Sequence, residues 1–241
     1  KLIRKRALVT HGITDGVIIV CGHNFHGRTL AAISASDTEQ YREGFGPLLP
    51  GFAWARFGDT EAIEGCIQNQ TLQLNNCIGI IVEPIQGEGG INIPPCGYLE
   101  RVGQICQYHD MTFCLDEVQT GFGRTGFNFA WEREGPTAKP NLMMLGKMLC
   151  GGATIGSAVV GRKDIMDVFT PGVHGSTFGG IPATCAVVSK VVEIFKNHPE
   201  LISHVNEIGG YFSGKLREIA ERINSPFFKE VRGRGLLIGM E

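Results

Sequence analysis

The feature that most limits the fold is a set of short runs that are apolar at nearly every residue, separated by longer stretches with helical periodicity. Val17–Cys21, Ile78–Glu83, Thr112–Val118, Leu142–Leu145 and Ser157–Val160 read as strands. A strand with one wet face alternates apolar and polar residues, whereas a strand covered on both faces does not. Thr60–Gln70, Tyr98–His109, Ile181–Lys196 and Leu201–Arg222 carry apolar residues three and four apart, the spacing of one helix face. In Tyr98–His109 that face is Leu99, Val102, Ile105 and Cys106. The pattern predicts an α/β fold, a mostly parallel central sheet with helices on both faces. Glu230-Val231 and Leu236–Ile238 add at least one further strand. With no internal repeat, low-complexity segment or linker, no domain boundary is expected within residues 1–241.

Sheets of this kind bind ligands beyond the carboxyl ends of their strands. The segments to inspect are therefore Gly22 to Arg28, Glu83 to Gly90, Asp116 to Gly121 and Gly146-Lys147. Together they offer aromatic, acidic, amide and amine groups to one rim.

Composition narrows the ligand class. The chain has 241 residues, 43% of them apolar, enough to bury a core without disulfides or a structural metal. With 22 Lys+Arg against 24 Asp+Glu, charge gives no case for nucleic acid or a membrane surface, and a small-molecule ligand fits better. No apolar run approaches the length of a membrane span, and no signal core follows the basic Lys1 to Arg6 stretch, which suits a solvated helix end. Eight scattered cysteines with no Cys-x-x-Cys read as reduced, buried small hydrophobes of an intracellular protein. His23 and His26 have no third ligand nearby, so no metal is expected.

Two glycine motifs mislead. Gly121-Phe-Gly123-Arg-Thr-Gly126 matches the dinucleotide fingerprint and leaves a nicotinamide-dependent oxidoreductase as an alternative. The aromatic stretch Phe127 to Trp131 that follows is a poor helix start, and no acid for a ribose stands where that motif requires it. Gly156 to Lys163 mimics a phosphate loop, but Arg162 and Lys163 occupy the places of its lysine and hydroxyl.

Asp116 closes a run that is otherwise apolar, and Lys147 ends the next strand 31 residues later. A lysine and a carboxylate on neighbouring strand ends are what pyridoxal phosphate requires, the lysine for a Schiff base and the acid to keep the pyridine nitrogen protonated. The same spacing also suits a buried ion pair or two unrelated loop residues.

Resemblance adds to this reading. Leu115 to Gly126, Pro140 to Lys147, Gly151-Gly152 and His174 to Gly180 occur in the order found in the class III aminotransferases, which are fold-type-I pyridoxal phosphate enzymes. Phe25 to Thr29, Val82 to Glu88 and Val231 to Leu236 extend the similarity over nearly the whole chain. Tyr41 to Phe52, with its Phe-Gly-Pro before Pro-Gly-Phe, further resembles the branch that acts on ornithine. Acetylornithine or another ω-amino acid is the alternative substrate, and a non-catalytic relative the alternative of another class.

The resemblance implies a pyridoxal 5'-phosphate Schiff base on Lys147, with Asp116 at the pyridine nitrogen and Gln119 at the ring's phenolic oxygen. Phe25 would stack on one ring face and Val118 pack on the other. Ser176 and Thr177 would reach the cofactor phosphate of the partner subunit in a homodimer. Arg28 would hold the substrate's α-carboxylate, and Glu88 would be a switch carboxylate paired with an arginine of the small domain. In isolation Phe25 also reads as core, Arg28 as a helix-start ion pair and Ser176-Thr177 as a helix cap. Pro182 without a preceding Asn, and Ile155 in place of a Pro, depart from the family pattern at positions with no proposed chemistry. Residues 1–241 are thus expected to be a pyridoxal-phosphate-binding large domain, with the family's N-terminal segment and C-terminal small domain outside them.

Overall fold

The computed structural model describes residues 1–68, 76–223 and 226–241. Its centre is a six-stranded sheet of β1 (Val17–Cys21), β2 (Phe52–Ala55), β3 (Cys77–Val82), β4 (Thr112–Asp116), β5 (Leu142–Leu145) and β6 (Ala158–Gly161), in the order β2-β1-β3-β4-β5-β6. The first five strands are parallel. Helices α1 (Leu2–His11), α2 (Leu30–Ser34), α3 (Glu39–Arg42), α4 (Thr60–Gln68), α5 (Tyr98–Tyr108) and α6 (Lys163–Met166) flank it. Two long helices, α7 (Pro182–Asn197) and α8 (Glu200–Ile223), lead to a separate hairpin of β7 (Val231–Arg234) and β8 (Leu237–Met240).

The apolar runs are buried on both faces because successive side chains of a strand point to opposite sides. In β1, Ile19 and Cys21 join a core layer with Ile80, Val82, Phe113 and Leu115, covered by Ile63 of α4 and the whole stripe of α5. Ile18 and Val20 join the opposite layer with Cys114 and Leu142, covered by Leu2, Ile3 and Ala7 of α1. Each fully buried Ile or Leu contributes about 1.5–3 kcal/mol relative to exposure. Helix α1 ends where Gly12 turns to φ 70 and its N–H bonds the Leu8 carbonyl at 3.0 Å.

Four expectations need correction. Strand β4 stops at Asp116, so Val118 belongs to the turn beyond it. Strand β2 is an edge strand with Trp54 half open to solvent, which hides its periodicity. Strand β6 runs antiparallel to β5, because the 146–157 connection holds only a 3-10 turn at Lys147–Cys150 and no crossover helix. Of the cysteines, Cys21, Cys106, Cys114 and Cys150 are buried, but Cys96 and Cys185 are exposed. Residues 69 and 70 of the expected Thr60–Gln70 helix lie outside the described residues. Among the described residues no helix is long and apolar enough to cross a membrane.

Candidate active site

The parallel register carries the ends of β1, β3, β4 and β5 to one rim. Asp116 pairs with Met144 across β4 and β5, which puts Lys147 just beyond the neighbouring strand end. Between them lies a slot of about 110 Å³ lined by Phe25, His26, Gly27, Glu83, Gly87, Glu88, Asp116, Val118, Gln119 and Lys147. Four separate strand-end loops therefore converge on one small cavity.

Asp116 is only 5% exposed, and its carboxylate is held at both oxygens. Oδ1 accepts the Val118 N–H at 3.1 Å, and Oδ2 meets His26 Nδ1 at 2.7 Å. The ion-pair partner of Asp116 is thus His26, and the alternative of a buried Asp116–Lys147 pair is not what the structure holds. Lys147 sits at φ 43, a left-handed conformation that side chains other than glycine rarely adopt, and its side chain is exposed at the edge of the slot. Such strain persists only where the surroundings over-determine it, and it clusters at functional sites.

Glu83, at the end of β3, ties two walls together. Its Oε2 accepts the Phe25 N–H at 3.1 Å and its Oε1 the Gly87 N–H at 3.2 Å. Burial pushes this carboxyl up to about 7, with the neighbouring His26 charge and the two N–H donors opposing the shift. Gly87 keeps the slot open, since a Cβ there would stand 3.0 Å from Gln119 Cγ. Two buried polar atoms of the lining have no partner, His26 Nε2 and Gln119 Oε1. Interiors rarely leave such atoms unpaired, so both fit a polar ligand in the slot.

The remaining expected residues lie further out. Arg28 is exposed, with its guanidinium 4.0 Å over the Tyr41 ring and 5.5 Å from that of Phe25, outside the slot lining. Ser176 lines a larger adjoining groove of about 1060 Å³ that shares Val118 with the slot, and Thr177 is exposed nearby. Sequence reasoning missed His26 as the partner of Asp116, Glu83 as a clamp and Tyr41 as the support of Arg28. Only Glu83 left a local signal, an acid closing an apolar run as Asp116 does.

The glycine motifs are structural. At Gly123, φ 80, a Cβ would come 2.9 Å from Phe195 of α7, and the Gly126 carbonyl accepts from Asn206 of α8 at 2.9 Å. These turns face protein and no helix opens after them, so the dinucleotide alternative has no cradle here. Gly156 to Lys163 is mostly strand β6, with Arg162 and Lys163 paired to Asp164 and Asp167. His23 is exposed, away from the His26–Asp116 pair, and no group of three metal-ligating side chains occurs among the described residues.

The family model "Aminotransferase class-III" matches residues 1–241. The chain belongs to the class-III aminotransferases. Among curated relatives of this class-III chain, an ornithine aminotransferase from Exiguobacterium sp. is 45% identical over all of it, and one from Bacillus subtilis is 44% identical. The crystal structure of the ornithine aminotransferase from Toxoplasma gondii ME49 superposes with a TM-score of 0.91 at 39% identity, covering 100% of this chain and 55% of that one. An acetylornithine aminotransferase from Elizabethkingia anophelis superposes at 0.81 with 33% identity. The class-III chain spans a little over half the length of these relatives, 57% of the Exiguobacterium protein.

Proposed function

We propose that residues 1–241 form the cofactor-binding domain of an ornithine δ-aminotransferase, which moves the δ-amino group of L-ornithine to 2-oxoglutarate. The products are glutamate and glutamate semialdehyde, which cyclises to pyrroline-5-carboxylate. The observation that carries this reading is the convergence of Asp116, Lys147 and the open polar atoms of His26 and Gln119 on one slot. The 45% identity to an ornithine aminotransferase supports the choice of amine.

Bound pyridoxal phosphate supplies an electron sink for the carbon next to the transferred nitrogen. Lys147 holds the cofactor through its amine and, once released, carries the proton that leaves the substrate's δ-carbon. Asp116 keeps a negative charge against the ring nitrogen, and His26 fixes that carboxylate from behind at 2.7 Å. Phe25 and Val118 line the slot as apolar walls for the ring, and Gln119 offers its amide to the ring's phenolic oxygen. Glu83 does no chemistry in this reading and sets the distance between the Phe25 and Gly87 loops.

Arg28 takes the substrate α-carboxylate, with Tyr41 behind it as a cation–π support. Glu88, exposed at the slot's lip, is the switch carboxylate. Ser176 and Thr177 serve the cofactor phosphate of a second copy in a homodimer, and the setting is intracellular.

The test is covalent mapping. The chain is incubated with pyridoxal phosphate, reduced with borohydride and digested, and the label is expected on the Lys147 peptide. Label on another lysine, or pyrroline-5-carboxylate formation by Lys147→Ala, overturns the assignment. Comparing ornithine with acetylornithine as the amine that bleaches the bound cofactor's absorbance separates the two substrates.

A further inference from the structure

Hairpin β7–β8 reaches back to the loop that carries Glu88. Arg232 of β7 donates from Nε to the Gly90 carbonyl at 2.7 Å, while its Nη1 is held by Glu230 at 2.5 Å and Glu241 at 2.6 Å. Gly90 and the next residue, Ile91, both lie at positive φ, 118 and 55. A β-branched residue at positive φ is a genuine outlier and holds only where neighbours fix it. One such neighbour is Gly239 of β8, where a Cβ would stand 3.0 Å from Ile91 Cγ1. Each strand of the hairpin therefore meets one of the two strained residues.

The root of the loop is clamped independently. Gln86 and Asn92 exchange backbone hydrogen bonds of 3.1 and 3.0 Å, and Glu83 holds the Gly87 N–H at 3.2 Å. Glu88 takes part in none of these bonds and stands between the two clamps, at the lip of the Lys147 slot. Arg232 is not part of the slot lining, and two carboxylates neutralise its charge. It can act on the site through position and not through its field.

We infer that Arg232 is a positioning residue, which by holding the Gly90 carbonyl fixes where the Glu88 carboxylate stands and so sets which amine the slot prefers. This inference rests on the transaminase reading above. A carboxylate at the lip attracts a substrate with a second ammonium group and repels one with a second carboxylate. Loosening the loop weakens that discrimination and shifts preference from ornithine toward glutamate.

Hydrogen exchange on the full chain without cofactor tests the anchor. In R232Q, exchange over residues 84–92 is expected to quicken about tenfold, the effect of losing one charge-assisted hydrogen bond. The β1 amides should keep the parent rates. R232K retains the hairpin's charge, guards against an unfolded variant and should give an intermediate rate. Lys229→Gln, which loses only the 2.7 Å pair to Glu241 on the same hairpin, should leave residues 84–92 unchanged.

In the cofactor-loaded chain, the ratio of absorbance-bleaching rates with ornithine and glutamate should fall about threefold in R232Q, a loss of part of one screened charge interaction. Glu88→Gln should lower the ratio likewise, and the double variant should go no lower than Glu88→Gln alone. Parent-like exchange in R232Q, equal quickening in Lys229→Gln, or a further fall in the double variant overturns the inference. A loaded chain that accepts neither amine overturns the preference together with the assigned activity, and the exchange rates then decide the anchor alone.

Discussion

Asp116 and Glu117 are adjacent acids at the end of one strand, 5% and 1% exposed, and they do opposite work. Asp116 faces the slot and bonds His26, 90 positions away on another strand-end loop. Glu117 turns to the other side and bonds locally, to the Thr120 hydroxyl and to the Trp131 N–H at 3.2 Å. Its own carbonyl accepts the Gly121 N–H at 2.9 Å, so this acid organises the turn that holds the misleading glycine motif. Burial is nearly the same for both. What separates a tool from a scaffold here is whether groups from several strands converge on the carboxylate or its own loop closes around it.

The largest effects should come from exchanging the two roles. Asp116→Asn keeps hydrogen-bonding capacity toward His26 and Val118 but loses the charge. Turnover of the loaded enzyme should drop about a hundred- to a thousandfold, with the urea midpoint nearly unchanged. Glu117→Ala should do the reverse. It strands the Trp131 N–H and the Thr120 hydroxyl and opens a cavity, at about 3 kcal/mol of stability, while slot residues keep their places. Equal destabilisation by the two variants would erase the distinction.

The next effect is a slope with pH. Burial pushes both Glu83 and Glu117 from an ordinary 4.5 up to about 7. The folded chain then holds protons that the unfolded chain has released, so stability falls as pH rises from about 4.5 to 7, and the full penalty stands above 7. Each group accounts for roughly 3 kcal/mol at most. Glu117→Gln retains the acceptor for Trp131 and removes one of the two titrations. Urea midpoints at pH 5 and pH 8 should differ by about half as much in that variant as in the parent. An unchanged difference would show that Glu117 is ionised across the whole range.

Much of this was legible from pattern alone. The central strands are apolar throughout because α1 and α5 cover both faces, and the α5 stripe from Leu99 to Cys106 is buried as its spacing predicts. Strand β2 escaped because an edge position leaves Trp54 partly wet and breaks the run. The direction of β6 depends on what connects it to β5, which residue types do not state. Within the slot, Asp116 and Lys147 stand out as polar residues closing apolar runs. His26 did not, since its role is created by an aspartate that only folding brings to 2.7 Å. The Gly121 to Gly126 motif failed in the opposite sense, being locally perfect and packed against α7 and α8.

The smallest test bears on the same pair of acids from the scaffold side. Thr120 is fully buried, and its hydroxyl donates to Glu117, a bond that draws the carboxyl back toward ionisation. Thr120→Val preserves shape and removes only that donor, at about 1 kcal/mol. The loss should depend on pH in a definite sense. Near pH 5 Glu117 is mostly protonated and misses the donor little, whereas at pH 8 the carboxylate has lost one of the donors that offset its burial. Denaturation midpoints should therefore separate from the parent's as pH rises. Thr120 is not part of the slot lining, so the absorbance of bound pyridoxal phosphate should not change. A shifted absorbance with an unchanged midpoint would mean that the two acids share one network across the strand end, and that the scaffold reading of Glu117 is wrong.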